Sequence, residues 1–199
     1  TLGTVACSGN SGSARVLSSV IAGMASQEAD KKRIASEALE GYETMGELQE
    51  LTRRLSTLNN ASAAALESLE TLVRLTRAQG GCIAAKTGSN TLRLLSCIGD
   101  SDQLTTLLVH NSPFVKQALR AGTGEMLANS LSDDRIGDCG FLSLMCAPMA
   151  WGGSNNGLVL LGASAKDSFT ANDFGMLSHV ALLTAAAVAH ARFKRMLCT

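Results

Sequence analysis

Between Phe141 and Arg195 the chain sets out two apolar strands, a turn rich in glycine and asparagine, and a long amphipathic helix in direct succession. The first strand reads Phe141-Leu-Ser-Leu-Met-Cys-Ala-Pro-Met-Ala-Trp151, the turn Gly152-Gly-Ser-Asn-Asn-Gly157, and the second strand Leu158-Val-Leu-Leu-Gly-Ala-Ser164. Glycine and asparagine tolerate the left-handed backbone of a tight antiparallel connection, so the two strands pair as a hairpin. Phe169-Thr-Ala-Asn-Asp-Phe-Gly-Met-Leu177 then opens a helix that closes in Ala189-His-Ala-Arg-Phe193. Thr170 stands as its N-cap with Asp173 at the third helical position, a capping box in which aspartate replaces glutamate. Phe174, Leu177, Ala181, Thr184, Val188, Ala191 and Arg195 recur at helical steps beside a broad alanine surface from Ala185 to Ala191. One face of this helix serves the core, and the width of the apolar surface predicts a partner on another.

Upstream, Asn59-Asn60 breaks the chain with helix-capping chemistry, and Ala61 to Ala78 reads as a helix burying Leu66, Leu69, Leu72, Val73 and Leu75. Strands at Gly81 to Lys86 and Thr91 to Ile98 flank the turn Thr87-Gly-Ser-Asn90, and Gly99 supplies a small-residue step. A helical stretch from Ser101 to His110 precedes Ser112-Pro-Phe-Val-Lys-Gln-Ala-Leu-Arg-Ala-Gly122, where serine and proline start a helix and glycine stops it. Gly122 to Ala128 forms a short strand slot, and Asn129 to Gly140 a polar loop. Over roughly residues 60 to 195 this order and spacing resemble a GAF domain, a sensory and regulatory fold. The resemblance implies an α+β architecture: a central, mostly antiparallel sheet, the first and last helices on one face, and a long N-terminal helical extension. It also implies that the loop 129–140 lids a ligand pocket, with Ile83, Leu94, Met126, Cys139, Phe141, Leu144 and Met145 as lining candidates.

Three segments follow. Residues 1–26 read as a strand at Leu2 to Cys7, a loop Ser8-Gly-Asn-Ser-Gly-Ser13 and a helix from Val16 to Ala25, like the remnant of a preceding module. Ser13 reads as an ordinary N-cap rather than a phosphate site, since no P-loop lysine follows. Residues 27–58 form a charged linker helix in which Ile34, Ala38, Gly41 or Tyr42, Met45, Leu48, Leu51 or Thr52, Leu55 and Leu58 make a near-heptad stripe. A helix of the same chain or of a second copy would equally cover it. The wording Glu28-Ala-Asp-Lys-Lys-Arg-Ile-Ala-Ser-Glu-Ala-Leu-Glu-Gly-Tyr42 is similar to linkers before GAF domains in cyanobacterial-type signalling proteins. Residues 59–199 are the GAF-like domain. In that family the N-terminal and C-terminal helices form dimer bundles, which makes Ile34, Met45, Leu48, Leu55, Ala185 and Val188 the interaction candidates.

Composition narrows the function. At 199 residues, 46% hydrophobic and 17% charged, the chain can bury one sizeable core. Seventeen basic residues balance seventeen acidic ones, so the electrostatic footprint of a nucleic-acid binder is missing. The longest apolar stretch, Val180 to Ala191, falls short of the roughly 20 residues of a membrane span. Cysteines at 7, 82, 97, 139, 146 and 198 contain no Cys-x-x-Cys pair and read as free thiols. They favour an intracellular site, cytoplasmic, or chloroplast if the source is a phototrophic eukaryote.

Each chemistry known on GAF folds demands its own residues. Bilin attachment needs a thiol usually followed by histidine, but Cys139 is followed by Gly140. The cyclic-nucleotide signature is absent, and a haem would have only His110, His179 or His190 to draw on. Free methionine sulfoxide reductases of this fold place two or three cysteines around the pocket. Here Cys82 and Cys97 on the early strands, and Cys139 and Cys146 later, give only a faint echo in Cys139-Gly140. Asp133-Asp134 reads as a solvated loop face, and Trp151 as an aromatic packing on the domain edge. No Ser-His-Asp, paired-carboxylate or metal-ligand set competes. The leading expectation is a non-enzymatic regulatory or small-molecule-binding module acting through helix-mediated dimerisation or docking, its cofactor unidentified. The alternatives are a ligand-free structural subunit of a larger assembly, plastid among the candidates, and, as a minor one, a thiol-based reductase.

Overall fold

The computed structural model describes residues 11–87, 91–99, 102–109, 112–136 and 139–197. The strand expected at Leu2 to Cys7, the turn residues 88–90, His110 and the thiols of Cys7 and Cys198 lie outside them. The chain divides into two units, residues 1–47 and 48–199. The first is built from helix α1, Ser11–Thr57, which runs unbroken through position 26, where the sequence reading places a segment boundary. Ser13 lies within this helix rather than at its cap. Gly12 and the serines beside it weaken helix without preventing it, and the strong formers Ala14, Arg15 and Leu17 carry the helix on.

The second unit takes the last turns of α1 and then α2 (Ala61–Thr76), β1 (Gly80–Thr87), β2 (Thr91–Gly99), α3 (Asp102–Val109) and α4 (Pro113–Ala121). These are followed by β3 (Glu125–Leu127), a 3-10 turn at Ser130–Ser132, β4 (Ser143–Trp151), β5 (Ser154–Ala163) and α5 (Ala171–Leu197). The strands form one antiparallel sheet in the order β2-β1-β5-β4-β3. Local signals position its parts. The Asn60 side chain accepts from the Ser62 amide at 2.9 Å to start α2. Ser112 Oγ accepts from the Val115 amide at 3.3 Å ahead of Pro113, and Gly122 closes α4 in the left-handed region. At α5 the capping box is reciprocal: the Thr170 amide donates to Asp173 Oδ2 at 2.7 Å and the Asp173 amide to Thr170 Oγ1 at 3.2 Å.

The β4–β5 turn is tighter than the sequence suggests. Only Gly152 and Gly153 lie in it, at φ 61° and 76°, the paired positive angles of a two-residue hairpin loop. Residues 154–157, read as turn, extend β5 and put Trp151 opposite Ser154. Gly99, at φ 75°, allows a close approach, since a Cβ there would sit 2.0 Å from the Gln79 carbonyl oxygen.

Alternation along the strands separates two cores. On one face Leu51 and Leu55 of α1, α2 and α5 pack against Ile83, Ala85, Met145, Ala147, Val159 and Leu161. On the other, α3, α4 and the loop before β4 cover Cys82, Ala84, Leu144, Cys146, Leu158 and Leu160. In α2 the buried line runs through Ala64, Ala65, Ser68, Leu69 and Leu72, and Leu66 turns outward at 42% exposure, a correction to the expected face. Steps of four back from Leu69 and Leu72 reach Ala65 and Ser68, the centre of the buried stripe, and Leu66 stands at its edge with its side chain toward solvent. Helix α5 also departs from expectation: over Ala171–Met196 it has the length and mean hydropathy, 1.5, of a membrane span, although half of that apolar window is buried within the fold.

Candidate functional site

Strand parity decides where the expected pocket residues go. Leu94, Cys139, Phe141 and Leu144 gather under α3 and α4. Ile83 and Met145 project from the opposite face into the α2–α5 core, and Met126 is 39% exposed on β3. Neighbouring positions such as Leu144 and Met145 cannot line one cavity, because successive strand residues face opposite ways. The α3–α4 face is filled by the chain's own side chains: Leu104, Leu108, Phe114 and Leu144 are fully buried or nearly so, and Phe141 packs against Gly162.

Arg135 fastens the loop over this face. Its Nε donates to Asp133 at 2.9 Å, Nη1 donates to Gln117 of α4 at 2.8 Å, and the guanidinium also pairs with Glu125 of β3. The same group lies 5.5 Å from the centroid of the Phe114 ring, within cation–π range. Asp133 is therefore an ion-paired anchor and not the solvated loop residue the sequence suggests. Its carboxyl is held below the usual carboxylate range, chiefly by the hydrogen bonds from Arg135. The one cation near Cys139 in sequence is thus committed to carboxylates, while the Cys139 thiol donates to the Phe141 carbonyl at 3.3 Å.

Three thiols share this face, Cys82, Cys139 and Cys146. Burial pushes the Cys82 thiol up to about 11 and the Cys146 thiol up to about 12. Thiolates are the reactive form, so both are poor nucleophiles at neutral pH. Cys97, directly across β1–β2 from Cys82, is exposed. Site-resolved maleimide labelling of the native protein at pH 8 should therefore modify Cys97 at least about 100-fold faster than Cys82 or Cys146, with the difference abolished in denaturant. Comparable native rates would show the buried face to be open. Among the described residues no group of three or more His, Cys, Asp or Glu side chains is placed to hold a metal ion.

A different surface is open. The end of α1 and the outer side of α5 enclose an apolar groove of about 760 Å³, lined by Leu55, Leu183, Ala186, Phe193 and Met196, with Trp151 at its edge. Phe193, Met196 and Trp151 of its lining are each more than half exposed, as is Leu182 on the same outer face of α5. Of the interaction candidates, Leu55, Ala185 and Val188 are buried in the α2–α5 core and Leu48 is packed against it. Ile34 and Met45 are 59% exposed on α1. Phase explains this division within α5: Leu177, Val180, Ala181, Thr184, Ala185 and Val188 form the inward stripe, leaving Leu182, Ala186, Ala189 and Phe193 facing out. His179 and His190 are exposed on the same helix, His179 within hydrogen-bond reach of the Gly175 carbonyl and His190 lining the groove.

No protein-family model and no curated protein matches the chain. Solved structures do. The GAF domain of a phosphoenolpyruvate-protein phosphotransferase from Coxiella burnetii aligns at TM-score 0.66 and 17% identity, covering 77% of this chain and 96% of that one. The free methionine-R-sulfoxide reductase of Neisseria meningitidis aligns at TM-score 0.64 and 14% identity, over 76% and 91%. The GAF domain of the cyanobacteriochrome TePixJ aligns at 0.59 and 12%, over 70% and 95%. At these identities the likeness establishes the fold: residues from the end of α1 onward adopt the GAF architecture, sheet and helices together.

Proposed function

We propose that this GAF-fold chain is a non-enzymatic regulatory or scaffolding module that works by helix-mediated association, with a second copy of itself as the partner. The observation that carries the reading is the apolar groove between the end of α1 and α5, lined by exposed Phe193, Met196 and Trp151, with Leu182 exposed on the same outer face of α5. Groups of this size left in water mark association surfaces. Exposed Ile34, Tyr42 and Met45 on α1 are a separate apolar set that also favours association, because a long helix gains most of its stability from packing rather than from its own hydrogen bonds. The face that would hold a small ligand is occupied by Phe114, Phe141 and Leu144, which favours association over sensing. A thiol-exchange reaction is disfavoured by the raised Cys82 and Cys146 thiols. Free thiols suit a reducing compartment, the cytoplasm or a plastid stroma.

Sedimentation velocity of the full chain tests the reading. The wild type should sediment as a dimer at micromolar concentration, and Leu182→Glu/Phe193→Glu should weaken association at least about tenfold, since each change would bury an unpaired charge. A wild type that stays monomeric at about 100 μM overturns self-association. A native mass spectrum showing a stoichiometric small-molecule adduct would instead support sensing.

A further inference from the structure

We infer that a second groove, at the far end of α5 from its capping box, is a binding site for a small anion carrying two or more phosphate groups. Its volume is about 1160 Å³, and five cations line it: Lys86 of β1, Arg93 of β2, and Arg192, Lys194 and Arg195 of α5. No carboxylate lines it among the described residues. In a chain whose seventeen basic and seventeen acidic residues cancel, such a local excess is a strong positive field in a concave place.

The chain's own needs do not account for all of these charges. Basic residues in the last turn of α5 complement its dipole, and Lys194 also donates to Asn59 Oδ1 at 2.6 Å. Neither reason reaches Arg93, on an edge strand opposite Ala85, where a cation next to a cationic helix end is repelled. Arg93 and Arg192 have no hydrogen-bond or ion-pair partner among the described residues, although the Glu50–Arg53–Arg54–Glu67 cluster elsewhere on the surface is fully paired. The first residues of α2, Ala61 and Ser62, also line the groove and add the positive end of that helix to the side-chain charges. Guanidinium groups grip phosphate oxygens in a fork, which suits a multiply charged phosphate better than a single carboxylate. Leu95, Ala191 and Met196 supply an apolar wall on which a nucleoside would rest, so the phosphate chain could be free or nucleoside-linked.

Isothermal titration of the full chain with sodium tripolyphosphate and, separately, with ATP, at about 50 and 200 mM salt, decides it. Saturable binding to the wild type is expected, weaker at the higher salt and at least about tenfold weaker in Arg93→Glu/Arg192→Glu. The control is Lys116→Glu/Arg120→Glu on the outer surface of α4, which makes the same change in net charge away from the groove and should alter affinity less than about twofold. Arg93→Gln/Arg192→Gln, with an unchanged melting temperature, guards against misfolding of the glutamate variant. Equal affinity for both probes assigns recognition to the phosphate chain, and tighter ATP binding assigns a nucleoside contact. Absence of saturation by about 1 mM, equal loss in groove and control variants, or binding of polyglutamate in preference to both phosphates overturns the proposal.

Discussion

Phe114→Ala should remove about 3–5 kcal/mol of folding stability, the range for truncating a buried aromatic, and urea denaturation of the full chain would read it as a lower midpoint. Phe114 is fully buried in the first turn of α4, where Ser112 and Pro113 fix the helix start, and its ring fills the space between α4 and the sheet under the Arg135 guanidinium. The variant also tests what that face is for. A filled apolar face leaves a dry cavity when a ring is deleted, and such a cavity takes up benzene. Benzene should therefore raise the melting temperature of Phe114→Ala and leave the wild type unmoved, through binding linked to folding. Stabilisation of the wild type by benzene would mean that the face is already open, and the sensing reading would recover.

Signals that act within a few residues were legible in the sequence. The Thr170/Asp173 box, the Ser112-Pro113 start and the Gly122 stop all sit where short-range backbone chemistry puts them, and each is visible as a hydrogen bond or a left-handed angle. The order of elements followed, and with it the GAF architecture. Parity was harder. Ile83 and Leu144 both look like pocket residues because both are apolar, yet a one-residue offset along a strand sends a side chain to the other face. The register shift between Ile83 and Ala84 in the β1–β2 pairing hides that offset further. The cationic groove was not legible at all: Lys86, Arg93 and Arg192 are separated by up to about a hundred positions, and only the fold brings them together. The same limit applied to Arg135, whose carboxylate partner Glu125 lies on a different element.

The two faces of the sheet thus give the chain two unlike surfaces. The α3–α4 face is closed by packing, while the apolar groove and the cationic groove both lie along α5, one beside Phe193 and the other beside Arg192. Consecutive residues of one helix point about 100° apart, so a helix can serve a partner on one face and an anion on another. Met196 lines both grooves and is the place where occupancy of one would be felt in the other.

Arg135→Met should cost about 2 kcal/mol, between the small worth of an exposed pair and the 3–5 kcal/mol of a fully buried one, because the Arg135, Glu125 and Asp133 side chains are 28%, 30% and 15% exposed. Methionine keeps much of the side-chain volume over Phe114 and removes only the charge and its hydrogen bonds. The pH dependence supplies a second readout. Asp133 is held below its ordinary range in the folded state, so its contribution is present above its unfolded value near about 4 and is lost as pH falls through the lower folded value. The wild type should therefore lose stability below about pH 4 more steeply than Arg135→Met, and the gap between the two should narrow as the carboxylate is protonated. A gap that stays constant down to acid pH would show that Arg135 acts through its hydrocarbon stem alone. A double-mutant cycle with Phe114→Ala completes the test: the guanidinium lies over the ring it would lose, so the two costs should sum to more than the combined variant shows, by about 0.5–1 kcal/mol. Strict additivity would separate the clamp from the core beneath it.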